Sequence, residues 1–303
     1  MRKKTTAAVA AALACCAFAA MAWAQTIVGT DGDDRLRGTP EADTIDANDG
    51  NDRVLARAGD DTVLLDDGAD RARGGLGNDE MYGNPGRDRL FGNRGNDRIH
   101  GGAGGDLIVG NVGDDELIGD TPNIGRPANP DRVFAGPGSD TVTGGDGRDR
   151  LHGGADGDLI AGNGGRDLIS GGTGDDTSNG NRGNDVVFAN LGVDTSFGGE
   201  GNDRLFALAL GDVDTSNGPD TTGDSLDGGA GDDRIATRDG ETDSVTCGEG
   251  DDIALLDAVD VIADATDANP LGSCEKVVRK APRPGDDDQE NATQDPPEDN
   301  NQG

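Results

Sequence analysis

The run GGLGNDEMY-GNPGRDRLF-GNRGNDRIH-GGAGGDLIV-GNVGDDELI, from Gly74 to Ile118, is five nine-residue frames with no slip in register. Each frame has glycine at position four, aspartate at position six and an apolar residue at position eight. The same frame runs back to Gly29, so ten contiguous frames span Gly29 to Ile118. The glycines mark the first six residues as a turn, because glycine reaches positive φ and lets backbone approach closely. The last three residues, such as Arg98-Ile99-His100, are a very short strand. Strand side chains alternate between faces, so only the middle residue of the three points inward. Leu90, Ile99, Ile108 and Leu117 are therefore the expected core. Two frames make one coil of strand, turn, strand, turn, and stacked coils make an all-β parallel solenoid with two sheets.

After Ile118 a short insertion, Gly119 to Gly125, interrupts the pattern. The frame resumes with Asp131 and Val133 and runs on through Asp203. Two slips follow, near Leu208 to Leu210 and Asn217 to Thr222, and later frames carry Asp214, Asp224, Asp233, Asp243 and Asp252. Some frames depart from the pattern. Asp156 replaces the position-four glycine, Glu41-Ala42 replaces the usual glycine of the second frame, and Ala72, Ser178, Ser196 and Ser216 stand at the apolar position.

Frames eighteen residues apart fall on the same edge of the solenoid. Asp79, Asp97 and Asp115 form one column, and Asp88 and Asp106 form the other. Coils stack at about 4.8 Å, a spacing at which carboxylates repel unless a cation lies between them. Ca²⁺ accepts carboxylate and backbone carbonyl oxygens together, and glycine turns expose such carbonyls. One apolar side chain per nine ordered residues is a thin core. Metal binding is therefore expected to be coupled to folding.

The frames resemble the RTX, or hemolysin-type, calcium-binding repeat G-G-x-G-x-D-x-U-x, where U is apolar. A stricter two-frame signature of that family, D-x-[LI]-x4-G-x-D-x-[LI]-x-G-G-x3-D, occurs twice, from Asp88 to Asp106 and from Asp158 to Asp176. The resemblance implies a parallel β-roll, a right-handed β-solenoid whose turns hold rows of Ca²⁺. It implies that the position-six aspartates and turn carbonyls are the ligands. The aspartates so assigned are Asp34, Asp52, Asp61, Asp79, Asp88, Asp97, Asp106, Asp115, Asp140, Asp149, Asp158, Asp167, Asp176, Asp185, Asp194, Asp203, Asp233 and Asp252. About twelve coils are expected, some 55–60 Å long at the strand spacing.

The N-terminal segment 1–24 reads as a secretory signal: Arg2-Lys3-Lys4, an apolar run, then Ala22-Trp23-Ala24. A lipoprotein reading through Cys15 or Cys16 stands beside it, although Ala-Leu-Ala before Cys15 fits poorly. No other stretch is apolar enough to span a bilayer. The whole chain carries a net charge of −34, and loss of three basic residues with the signal brings it to −37. Such a surface repels nucleic acid and attracts divalent cations. Residues 25–252 are assigned to the roll. Residues 253–280 are assigned to a C-terminal cap held by a Cys247–Cys274 disulfide, as expected for two cysteines in an exported protein. Residues 281–303 read as a disordered acidic tail.

No catalytic motif of the HExxH or GxSxG type is present. The repeats begin at about the fifth mature residue, so no hydrolase is expected ahead of them. His100 and His152 both occupy position nine, outward on a strand. The outward arginines, including Arg89, Arg98, Arg150 and Arg204, read either as a solvated face offsetting aspartate charge or as a ladder for an acidic polysaccharide. The expected function is a secreted, non-catalytic calcium-binding β-roll with a structural role. The alternatives are an adhesion, ice- or polysaccharide-binding module using a flat strand face, and a detached repeat domain acting with a separate enzyme. An extracellular polysaccharide or protein is the partner class left open.

One prediction follows from frame quality. Asp97→Ala should lower calcium stoichiometry and cooperativity more than Asp70→Ala, whose frame has only Ala72 at the apolar position. Equal, negligible effects in a calorimetric titration would count against the β-roll.

Overall fold

A computed structural model describes residues 23–120, 129–207, 223–237, 239–266, 269 and 271–280. Short strands alternate between two 13-stranded sheets, and every neighbouring pair is parallel. The first sheet runs from Thr26–Val28 to Val261–Ile262, and the second from Arg35–Arg37 to Lys276–Arg279. Twelve steps of about 4.8 Å make the roll about 58 Å long, in line with the expected length. The described residues contain no helix long and apolar enough to cross a membrane.

The register is the one dictated by an eighteen-residue coil. Arg89, Leu90 and Phe91 pair with Leu107, Ile108 and Val109, and Glu80, Met81 and Tyr82 with Arg98, Ile99 and His100. Each middle residue is inward: Met81, Leu90, Ile99, Ile108 and Leu117 are fully buried between the sheets. The insertion after Ile118 leaves this stacking intact. Leu107 pairs with Arg132 and Glu116 with Thr141, so the coils on either side of the seven-residue insertion stay in register. Further on, Thr195 pairs with Ser225 and Arg204 with Arg234, a gap of thirty residues. Asp214, Ser216, both expected slips, the bulk of the signal segment and the acidic tail lie outside the described residues.

Backbone geometry explains the composition of the turn. Position four sits at positive φ in most turns, at 117° in Gly77, 121° in Gly95 and 140° in Gly113, where a Cβ is disfavoured. Asp156 occupies the same position at φ 75°, at a cost that only the surrounding coils sustain. Position two is left-handed as well, and asparagine serves there: Asn84, Asn93 and Asn111 have φ of 66°, 83° and 77°. In the frame of Glu41 the Thr39 hydroxyl donates to the Asp43 carboxylate at 3.0 Å, as the Thr30 hydroxyl donates to Asp34 in the preceding frame, where Gly32 holds position four.

The roll extends beyond the boundary at residue 252. Ile253–Leu256 and Lys276–Arg279 add strands to the second sheet, and Val261–Ile262 adds one to the first. Ala254, Leu256 and Ile262 take the inward positions, so the segment 253–280 continues the core. The Cys247–Cys274 disulfide joins this last coil to the one before it, with a Cα–Cα distance of 5.1 Å. Ser273 reinforces the junction by accepting the N–H groups of Cys247 and Gly248 at 2.9 and 3.0 Å.

The core has one polar defect. Ser178 and Ser196 stand at consecutive inward positions of the first sheet, each 1 % exposed, and neither hydroxyl has a hydrogen-bond partner. A buried unsatisfied polar group costs about 1–3 kcal/mol. Ser178→Ala with Ser196→Ala should therefore raise the thermal midpoint of the calcium-loaded chain, which differential scanning calorimetry reads directly. A lowered midpoint would show that the hydroxyls have a partner.

Candidate metal centres

Position six closes each turn and ties it to the next coil. The aspartate Oδ1 accepts the backbone N–H of the position-six residue one coil earlier, at 2.6–2.9 Å throughout. One column runs Asp43, Asp61, Asp79, Asp97, Asp115, Asp140, Asp158, Asp176, Asp194 and Asp224. The other runs Asp34, Asp52, Asp70, Asp88, Asp106, Asp131, Asp149, Asp167, Asp185, Asp203, Asp233 and Asp252. Glu275 takes the place of aspartate at the end of the second column, accepting the Asp252 N–H at 2.8 Å.

All eighteen aspartates assigned from the sequence lie in these two columns. Asp43, Asp70, Asp131, Asp224 and Asp243 were left out of that set, yet they share the position and the bond. The position-six spacing was already the signal for Asp70. Asp131, Asp224 and Asp243 carry the frame as well, each after an interruption of the nine-residue count.

The second carboxylate oxygen defines the chemistry. At Asp79, Asp88, Asp97, Asp106, Asp115, Asp131, Asp149, Asp167 and Asp176 the Oδ2 is buried and has no hydrogen-bond donor. It borders the space over the position-one glycine of its own frame. A Cβ on Gly101 would lie 2.7 Å from Asp106 Oδ2 and 2.8 Å from the Gly119 carbonyl oxygen. A Cβ on Gly144 would lie 2.7 Å from Asp149 Oδ2 and 2.9 Å from the Gly162 carbonyl oxygen. Position one is thus glycine for space, whereas positions two and four answer to φ in most turns and, at Gly68, Gly86 and Gly147, to the carbonyl oxygen of the coil before. Several frames fill this space instead. Ala47, Ala56 and Leu65 are buried at position one in the frames of Asp52, Asp61 and Asp70, where they enlarge the apolar core.

This donor set fits Ca²⁺. It consists of hard oxygens only, a carboxylate and a main-chain carbonyl from successive coils, with no nitrogen or sulfur. Among the described residues no three His, Cys, Asp or Glu side chains gather as a metal-binding group. Main-chain carbonyls must therefore complete any coordination shell.

Burial raises these carboxyls far above their ordinary value of 3.8, with the negative charge of neighbouring aspartates adding to it and the N–H bond to Oδ1 opposing it. They reach about 6 at Asp61 and Asp70, about 7 at Asp79 and Asp97, about 8 at Asp88 and about 9 at Asp131. A carboxyl whose pKa is higher folded than unfolded supports the fold while protonated and opposes it once ionised. For the metal-free roll that support is complete below about pH 4 and is lost as pH rises through about 6 to 9. In chelator, far-UV circular dichroism should therefore show β structure in mild acid that disappears by about pH 8. A metal-free spectrum that does not change with pH would refute the buried columns.

The histidines are separated by the core. His100 lies on the first sheet, stacked on Tyr82 with ring centroids 5.0 Å apart, and His152 lies on the second, beside Phe134 and 3.2 Å from the Ser170 hydroxyl. The outward arginines also divide: Arg98 is on the first sheet, paired with Glu116 at 3.2 Å, and Arg89, Arg150 and Arg204 are on the second.

No curated protein matches the chain. The family described as RTX calcium-binding nonapeptide repeat (4 copies) matches residues 28–63, 65–99, 91–121, 134–169, 153–187 and 170–205. These segments cover more than half of the sequence and coincide with the coils whose carboxylates form the two columns. The chain belongs to the RTX calcium-binding nonapeptide-repeat family.

Proposed function

We propose that this protein is a secreted, non-catalytic β-roll that folds when Ca²⁺ fills its turns and then serves as a stiff structural rod outside the cell or in the envelope. One observation carries the reading: both columns contain buried aspartates, Asp88, Asp106, Asp149 and Asp176 among them, whose Oδ2 atoms have no donor and border a carbonyl oxygen of the next coil. The position-six aspartates are the side-chain ligands, extended by Asp43, Asp70, Asp131, Asp224 and Asp243. Frames with glycine at position one bind most readily. Bound Ca²⁺ supplies the positive charge that lets neighbouring carboxylates stay ionised inside the roll. Export is supported by the Arg2-Lys3-Lys4 and apolar leader pattern and by a disulfide in the last coils. The non-catalytic reading is supported by the absence of a hydrolase motif and by histidines on opposite sheets.

A second reading, adhesion through a flat strand face, draws on Thr26, Thr44 and Thr62, which stand in register on the first sheet. Glu80, Arg98 and Glu116 interrupt that ladder, so it ranks below the structural role.

A Ca²⁺ titration of the mature chain at neutral pH, followed by far-UV circular dichroism with Mg²⁺ as control, tests the main proposal. A cooperative coil-to-β transition with Ca²⁺ alone is expected. A full β spectrum in chelator at the same pH would overturn metal-coupled folding.

A further inference from the structure

The second sheet presents a face unlike the rest of this acidic molecule. At outward positions seven and nine its strand triplets, from Arg35–Arg37 to Lys276–Val278, contain no aspartate or glutamate. Arg35, Arg53, Arg71 and Arg89 stand in register on four successive coils, all exposed, in a chain of net charge −34. Each directly follows a position-six aspartate, of which Asp52, Asp70 and Asp88 are turned inward and buried and Asp34 is half-buried. Among the described residues the one ion pair is Arg98–Glu116, on the opposite sheet. Arg35, Arg53, Arg71 and Arg89 make no ion pair with a neighbouring carboxylate. A groove of about 710 Å³ runs along them, with Arg87 beside them, the exposed Asp33 and half-buried Asp34 at one end, and the inward Asp52 and Asp70 in its lining.

Aromatic rings interleave with the cations. The Arg73 guanidinium lies 5.6 Å from the centre of the Phe91 ring, and the arrangement recurs along the same sheet at Arg132 and Phe134, 5.6 Å, and Arg204 and Phe206, 5.1 Å. Stacking on a ring holds the guanidinium plane and leaves its edge free to donate.

We infer that the outward face of the second sheet, centred on Arg53, Arg71 and Arg89, binds a linear polysaccharide bearing carboxylates, a polyuronate. The match is one of repeat length. The ladder offers one planar fork per coil, about 4.8 Å apart, close to the length of one sugar with its linkage. Forks of the ladder take carboxylates bidentately, and Phe91, on the same strand as Arg89 and stacked with Arg73, offers an apolar surface to a sugar C–H face. Four coils span about 14 Å, enough for three to four sugars. Double-stranded DNA fits worse, because its charges come about every 1.7 Å along the axis and follow a helical track, not a flat row. The inference goes beyond calcium binding and needs only that the roll be folded.

The test uses the calcium-loaded full mature chain, a hexameric oligogalacturonide, which is too short to gel with Ca²⁺, and isothermal titration calorimetry. The hexamer should bind with an affinity that falls as salt rises, and its methyl-esterified form should not bind. Arg53→Gln with Arg71→Gln and Arg89→Gln should weaken binding at least tenfold. The corresponding three lysine changes should weaken it several-fold, because charge is kept and the fork is lost. Arg98→Gln on the other sheet should leave it unchanged. Circular dichroism recorded on each sample separates this proposal from the calcium reading. An intact β spectrum without binding, equal binding of the ester, an equal loss in Arg98→Gln, or tighter binding of a twelve-base-pair DNA would each overturn the polyuronate face.

Discussion

The bond from each position-six carboxylate to the backbone N–H one coil back is the constraint on which this structure depends. It takes up one oxygen of every aspartate in the column and sets the coils at strand spacing. It also forces the other oxygen into the turn, where no protein donor reaches it. The sheets supply the hydrogen-bonded frame, but each level adds only two inward side chains. The free oxygens decide under which conditions that frame is stable. Protons and divalent cations are two answers to the same unsatisfied charge, so acidity and calcium act on one set of atoms.

The turn also shows how three glycines in one short motif have different causes. Positions two and four are governed in most turns by backbone sign, which is why asparagine serves at position two and Asp156 is tolerated at position four. Position one is governed by space, which is why alanine, leucine or cysteine can stand there once the cradle is given up. Coils around Ala47, Ala56 and Leu65 exchange part of an ion cradle for apolar packing. The C-terminal coils do the same with Cys247 and Leu256, and there the packing is covalently tied by Cys247 and Cys274.

Much of this architecture was legible because the repeat forces register. Leu90, Ile99, Ile108 and Leu117 had to be inward, and Asp79, Asp97 and Asp115 had to share a column, once two frames made a coil. Periodicity fails where the repeat is interrupted. Asp224 stacks on Asp194 across a thirty-residue gap, a relation no count by nines recovers. The apolar stretch around Ile253–Leu256, bracketed by Cys247 and Cys274, reads as a cap in sequence, and its alternation continues the second sheet. The arginine ladder was obscured by treating all outward positions together. Alternate frames belong to opposite sheets, so Arg98 never shared a face with Arg89, Arg150 and Arg204.

Two interruptions of the repeat, between Asp120 and Asn129 and between Ala207 and Gly223, leave the levels on either side in register. Because each coil touches only its neighbours, extra chain at a turn costs mainly the closure entropy of its loop, which grows slowly with length. The turns after Ile118 and Ala207 are therefore natural grafting points. A foreign peptide placed there would be held at a fixed height along a rod whose strand ladder counts out distance in equal steps, making the fold a molecular ruler as well as a support.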